Sequence, residues 1–283
     1  MTIDSKTIFA DLKQQLLSGD LKIPGLPDIA QRVQRAISNE DYNISDVARI
    51  IQTDIPLSGR IIQVANSPLY KGVVPVESCH AAVNRLGMKV VRSLVTSFAV
   101  RRLYTAKNSR ARKQMEQLWK HSVKIGAISF TLARVTPGFD PEIAMLAGLT
   151  HDIGELVILQ YTELNPDLLV NELLLQEVVK TYKIRLSGVI LKHWRFDDEF
   201  IKAALGAEDW LRNPSQTADL ADVVMTAHIM EMTLLNQLPE GVENFSDLAV
   251  YSKFPVFKLG EFAHRELMME SQDEIAELQK LLR

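Results

Sequence analysis

The sequence predicts an all-α fold on three observations. Apolar residues recur at three- and four-residue steps almost throughout, no segment reads as a strand, and the gaps between apolar runs carry helix start and stop residues. The opening stretch MTIDSKTIFADLKQQ places Ile8, Phe9, Leu12 and Leu16 on one face of a helix, expected within residues 1–22. Ile29, Val33 and Ile37 mark a second. Ser45–Asp46 and Asp54–Pro56 are start signals for the next two, because a side-chain oxygen there can accept a backbone N–H that the first helical turn leaves unpaired. Asn66 reads as a helix stop whose amide ties down local backbone, and Ser67 to Pro75, with two prolines and Gly72, as a loop. Gly87 ends a short amphipathic run, and longer helices are expected after it.

Leu118, His121, Ile125, Ile128 and Leu132 then share a face, and Pro137–Gly138 stops that helix. The stretch Ile143 to Leu159 is apolar on almost every side and is expected as one buried helix. Its His151, Asp152 and Glu155 make it a poor membrane span. Residues 237–244, with Pro239 and Gly241, read as a loop, and Ile275, Leu278 and Leu282 mark a final amphipathic helix that docks within the chain. Trp119, Trp194 and Trp210 fall on apolar faces or near helix ends, where core or interface anchoring is the ordinary role. Seams are expected near residues 107–113 and 236–247.

Composition narrows the function classes. Of 283 residues, 47% are hydrophobic and 24% charged, which is globular and argues against disorder. A net charge of -3 and a pI near 6.1 speak against a surface built as a whole for polyanions. Cys79 is the one cysteine, so neither an internal disulfide nor a cysteine-based zinc site is available. The N-terminus has neither the basic start nor the apolar run of a secretion signal, so a cytoplasmic location is expected. Phosphate-binding glycine loops and nucleophile elbows are absent from the sequence.

Chemistry concentrates in two helical segments. His121 lies on an apolar face and so points inward. LAGLTHDIGELVILQY buries His151 and Asp152. An ionised carboxylate in a helical core costs several kcal/mol unless paired or bound to a metal, so Asp152 needs a partner. Spacing alone allows two solutions. One is a hydrogen-bonded His–Asp network without an ion; the other is a site in which imidazole nitrogens and a carboxylate oxygen hold a divalent or trivalent metal, with iron, manganese and zinc all suitable.

The spacing H-x29-HD in the context GLTHDIG resembles the HD phosphohydrolase superfamily. The upstream run VARIIQTDIPLSGRIIQVANSPLY, followed by AAVNRLGMKVVRSLV, resembles its HDOD branch, and the likeness holds from about Ile23 to Trp210. The resemblance implies an HD-like helical bundle with a smaller N-terminal helical lobe. Its implied layout is a domain over 23–236, divided into a lobe at about 23–107 and a bundle at about 108–236, with a C-terminal helical extension over 237–283. It also implies a regulatory output or scaffold role in bacterial signal transduction, through a signalling protein or small ligand. Carried over residue by residue, the metal ligands are His121, His151 and Asp152. The fourth is His228 in TAHIM, where the superfamily normally has Asp; Asp222 is a second candidate.

Three departures argue against catalysis. Glu155 stands where many active relatives carry a lysine, so a negative charge replaces one that would attract phosphate. His228 in place of Asp removes a charge from the site, and ALGAEDW at 204–210, with Glu208 and Asp209, occupies a region where related chains often have a His pair. A metal-dependent phosphohydrolase acting on nucleotides or cyclic dinucleotides is the first alternative.

The second alternative is a nucleic-acid-binding regulator. It rests on residues 78–115, which hold nine Lys and Arg, Arg101 and Arg102 among them, and no Asp or Glu. The competing expectation is that these charges are solvated or pair within the chain, for example with Glu261, Glu266, Glu270, Asp273, Glu274 and Glu277.

Overall fold

The computed structural model describes residues 4–39, 41–235, 237–239, 241–259 and 263–282, and among them every regular element is helical. Two compact units are present. The first joins the residues up to Gly25 with Tyr104–Glu270; the second joins Leu26–Leu103 with the residues from Ser271 onward. The segment 237–283 is therefore shared between the units, and Glu261 of the acidic run lies outside the described residues.

The second unit is the smaller. It holds α2 (Asp28–Ile37), α3 (Ile44–Gln52), α4 (Ile55–Ala65) and α5 (Cys79–Arg101). Both start signals fall at the beginnings of their helices. On α3 the cap is Asn43, two residues before the expected Ser45, in a reciprocal capping box with Asp46, while Asp54 caps α4 through Leu57 N. Asn66 follows α4; its amide donates to Val76 O at 2.8 Å and accepts from Val76 N at 2.9 Å, pinning both ends of the 67–75 loop. Gly87 breaks α5 with φ 79 and ψ 161, a conformation that glycine adopts without penalty.

The first unit begins with α1 (Ser5–Ser18), which packs on α10 (Glu172–His193): Phe9 stacks on Tyr182 with ring centroids 3.9 Å apart, and Leu12 is fully buried. Its centre is α6 (Ser109–Arg134), α7 (Pro141–Thr150), α8 (Ile153–Leu164) and α12 (Leu220–Leu234). Short α9 (Pro166–Val170) precedes α10, α11 (Asp198–Gly206) follows it, and 3-10 turns between 245 and 259 lead to α13 (Ala263–Glu270). The final helix, α14 (Gln272–Leu282), buries Ile275, Leu278 and Leu282 as its pattern required, and belongs to the second unit.

One expectation is corrected. The apolar stretch 143–159 is not a single helix: α7 stops at Thr150 and α8 starts at Ile153, with Asp152 turned out of helical geometry at φ -102, ψ 18. Adjacent residues on a straight helix point about 100° apart, so the break lets His151 and Asp152 face one place.

Candidate metal centre

Three glycines set the backbone that carries the centre. Where α6 crosses α7, a Cβ on Gly148 would stand 2.8 Å from the Cα of Gly126, and a Cβ on Gly126 would stand 2.9 Å from Leu149 Cγ. This close approach brings His121, on α6, up to the α7–α8 break. Gly154, just past the break, meets α10 so closely that a Cβ there would lie 2.0 Å from the Lys183 carbonyl oxygen; its N–H donates to Ser187 Oγ at 2.9 Å. Lys183 is thereby brought to Asp152.

His121, His151, Asp152 and His228 converge, each offering a ligand atom within 4.8 Å of the others. His121 is half-buried and the other three are buried. His151 Nδ1 lies 2.6 Å from Gly148 O, and a carbonyl can only accept, so the ring proton belongs on Nδ1 and Nε2 is left to face the centre. His151 Nε2 is 2.7 Å from His228 Nε2 and 3.3 Å from Asp152 Oδ2, while His121 Nε2 stands 3.8 Å from that same oxygen. Of the two facing nitrogens of His151 and His228, one donates and the other accepts.

Supporting side chains surround these four. Glu231 accepts from His121 Nδ1 at 3.2 Å and is held by Lys124 at 3.1 Å. Lys183 Nζ bridges Asp152 Oδ2 at 2.8 Å and Glu208 Oε1 at 2.7 Å. Trp210 leans toward His228, with ring centroids 6.2 Å apart. Beside the centre a cleft of about 570 Å³ is lined by Gln114, Gln117, Glu155, Lys180, Lys183 and Glu208, among others.

The charges follow from these neighbours. Burial opposes ionisation of Asp152, but His151 and Lys183 outweigh it and hold the carboxyl well below the usual aspartate range. Burial, reinforced by the imidazoles of His151 and His121, pushes His228 well below the ordinary histidine value, so it stays neutral. His121 moves the other way: burial would lower it, but the hydrogen bond to Glu231 and the charge of Asp152 raise it. Burial, with Asp152 close by, pushes Glu155 up to about 7.

The donor set fits a metal. Donors held by one ion at ~2.1 Å stand ~3.0–4.2 Å apart, so the nitrogens of His151 and His228, 2.7 Å apart, would part slightly and the more distant of the four, all within 4.8 Å, would draw in. Asp152 Oδ1 is buried with no hydrogen-bond partner, a costly state that an ion would relieve. Nitrogen and oxygen donors without sulfur suit zinc, iron or manganese.

Asp222, the other candidate for the fourth place, is not among the four. It is fully buried near the start of α12, paired with Arg212, 3.1 Å from Lys253 Nζ, and in a capping box with Asp219. Sequence reading missed Lys183, Lys124 and Glu231. Glu231, three residues after His228, and Lys124, three after His121, had a readable signal because that step shares a helix face; Lys183 had none. The arginines of the nucleic-acid alternative are at the end of α5 in the other unit, where Asp54 holds Arg102 through both oxygens, at 2.5 and 2.9 Å.

Comparison with known families matches residues 23–209 to the HDOD domain, a stretch that includes His121, His151 and Asp152 but ends before His228. Among curated proteins, an uncharacterized protein of Treponema pallidum (strain Nichols) is 29% identical over 150 residues. That match covers 52% of this chain and 28% of the relative, so the chain spans little more than a quarter of that protein. Among solved structures, a protein of Shewanella amazonensis SB2B provisionally named a metal-dependent phosphohydrolase is similar over 99% of both chains, with 26% identity and a TM-score of 0.78. An HDOD domain protein of unknown function from Geobacter sulfurreducens shares the fold over 96% of both chains, at 22% identity and a TM-score of 0.66.

Proposed function

The chain belongs to the HDOD family, and from that membership we propose that it is a non-catalytic output or scaffold module of bacterial signal transduction. It acts by binding a signalling protein or small ligand, and His121, His151, Asp152 and His228 hold one ion inside its bundle. When bound, an ion would supply a concentrated positive charge shared by donors from α6, the α7–α8 break and α12, and such a charge can polarise a phosphoryl oxygen.

The observation that carries the non-catalytic reading is the charge around the four donors. A site for phosphoesters needs positive groups free to meet developing negative charge. Here Lys183 is spent on Asp152 and Glu208, and Lys124 on Glu231. Glu155 adds a half-buried carboxyl in the same cleft as Lys183 and Glu208. A cytoplasmic setting suits this reading: Cys79 is a buried free thiol, and no helix among the described residues is long and apolar enough to cross a membrane.

The hydrolase reading draws support from the convergence of the four donors and from the name given to the Shewanella protein. The two are separated by incubating the manganese-loaded chain with bis(p-nitrophenyl) phosphate and with a cyclic dinucleotide. The proposal expects no turnover above that of a His151→Ala/Asp152→Ala variant. Turnover that this variant abolishes would establish the hydrolase instead.

A further inference from the structure

Lys183 is a largely buried cation at the edge of the centre. Its side chain is only 12% exposed, and its ammonium sits 2.8 Å from Asp152 Oδ2 and 2.7 Å from Glu208 Oε1. Glu155 lines the same cleft as Lys183 and Glu208. Three carboxyl groups thus gather around one cation, which reaches them on a flexible stem from α10. Asp152 keeps a buried oxygen, Oδ1, with no partner in the protein.

A lysine that merely balanced Asp152 would need one acceptor. This one bridges two carboxylates on separate segments, as a metal ion would, and an ammonium is itself a compact point charge. Divalent ions take carboxylate oxygens at ~2.0–2.6 Å, slightly inside the distances the ammonium keeps, and Glu208, at 24% side-chain exposure, has room to close the difference.

We propose that Lys183 is a tethered stand-in for a second metal ion: it fills a latent cation site formed by Asp152, Glu155 and Glu208 and so limits the centre to a single ion. The count of one in the unaltered chain rests on the metal reading given above; the latent site does not. Asp152 would then lie between two cations, one at the histidines and one at Lys183.

The test uses the full chain equilibrated with excess Mn2+, desalted and assayed for metal content, alongside Lys183→Met and Lys183→Met/Glu208→Gln. The expected result is about one ion in the unaltered chain, two in Lys183→Met and one in the double variant. The two-ion form should also give the paramagnetic resonance spectrum of a spin-coupled manganese pair. If Lys183→Met holds the same number of ions as the unaltered chain, or fewer, the latent site does not exist. If the unaltered chain holds none and Lys183→Met gains one, the latent site stands and the histidine centre falls; none in either overturns both. Far-UV circular dichroism checks folding, and Lys183→Gln, uncharged but polar, carries the same expectation should the methionine variant not fold.

Discussion

Replacing Gly154 by alanine adds one methyl group at the point where α8 meets α10. That methyl carbon would lie 2.0 Å from the Lys183 carbonyl oxygen, 2.5 Å from Ser187 N and 2.8 Å from Leu186 Cβ. Two of these are backbone atoms, so no side-chain rotation relieves them and α10 must move. Overpacking of this kind costs ~1–3 kcal/mol. Separating the helices also breaks the buried Gly154 N–H to Ser187 Oγ bond, and an orphaned buried donor costs ~1–3 kcal/mol more. The gain in helix propensity returns only ~1 kcal/mol. The net loss is ~1–5 kcal/mol, set against the ~5–15 kcal/mol that stabilises a typical domain. Urea unfolding measures it, with Gly188→Ala as control: there the new methyl meets only the Leu205 side chain, at 3.1 Å or more, and the change should stay within ~1 kcal/mol. If Gly154→Ala unfolds within ~0.5 kcal/mol of the unaltered protein, the close approach does not set the geometry and the reasoning fails.

Other consequences are as direct. Asn66→Ala removes both amide bonds to Val76 and should cost ~1–3 kcal/mol by chemical denaturation; a neutral result would mean the 67–75 loop is not pinned there. Asp54→Ala loses the α4 cap and the two-bond pair with Arg102, for ~1–2 kcal/mol near neutral pH. Because folding lowers the Asp54 carboxyl from its ordinary 3.8, the ionic part of this contribution is present above that pH and is lost as pH falls through the lower folded value. Stability curves of Asp54→Asn and the unaltered chain should therefore converge in acid, and a gap that widens there would reverse the assignment. Metal uptake should be several-fold tighter at pH 8 than at pH 6, since His121 is raised and must release its proton to ligate. Glu231→Gln should flatten that dependence, and equal affinities at both pH values would exclude His121 as a ligand.

The legible parts of this molecule are those with a repeating or local chemical signal. Helical steps located the α6 face that carries His121, and side-chain oxygens ahead of apolar runs marked the starts of α3 and α4. The α7–α8 break was hidden because the residues around it are apolar on every side, leaving no stripe whose end could be seen; a turn there is selected by tertiary contact, not propensity. His228 ranked ahead of Asp222 on α12 by resemblance alone, because a helix buried nearly all round offers no face to choose between them; the structure pairs Asp222 with Arg212 and Lys253. Lys183 lies 31 positions from Asp152, with nothing local to announce the pairing. Gly154 carried its information in the missing Cβ, which becomes meaningful only once α10 is known to lie against it.

The most direct test of the account is the metal content of the purified chain beside that of its His151→Ala/Asp152→Ala variant. Convergence of three imidazoles and a carboxylate with one unpartnered oxygen predicts about one ion per chain in the first and none in the second. Equal metal content in the two, or none in either, would contradict it and leave His121, His151, Asp152 and His228 as a hydrogen-bonded core.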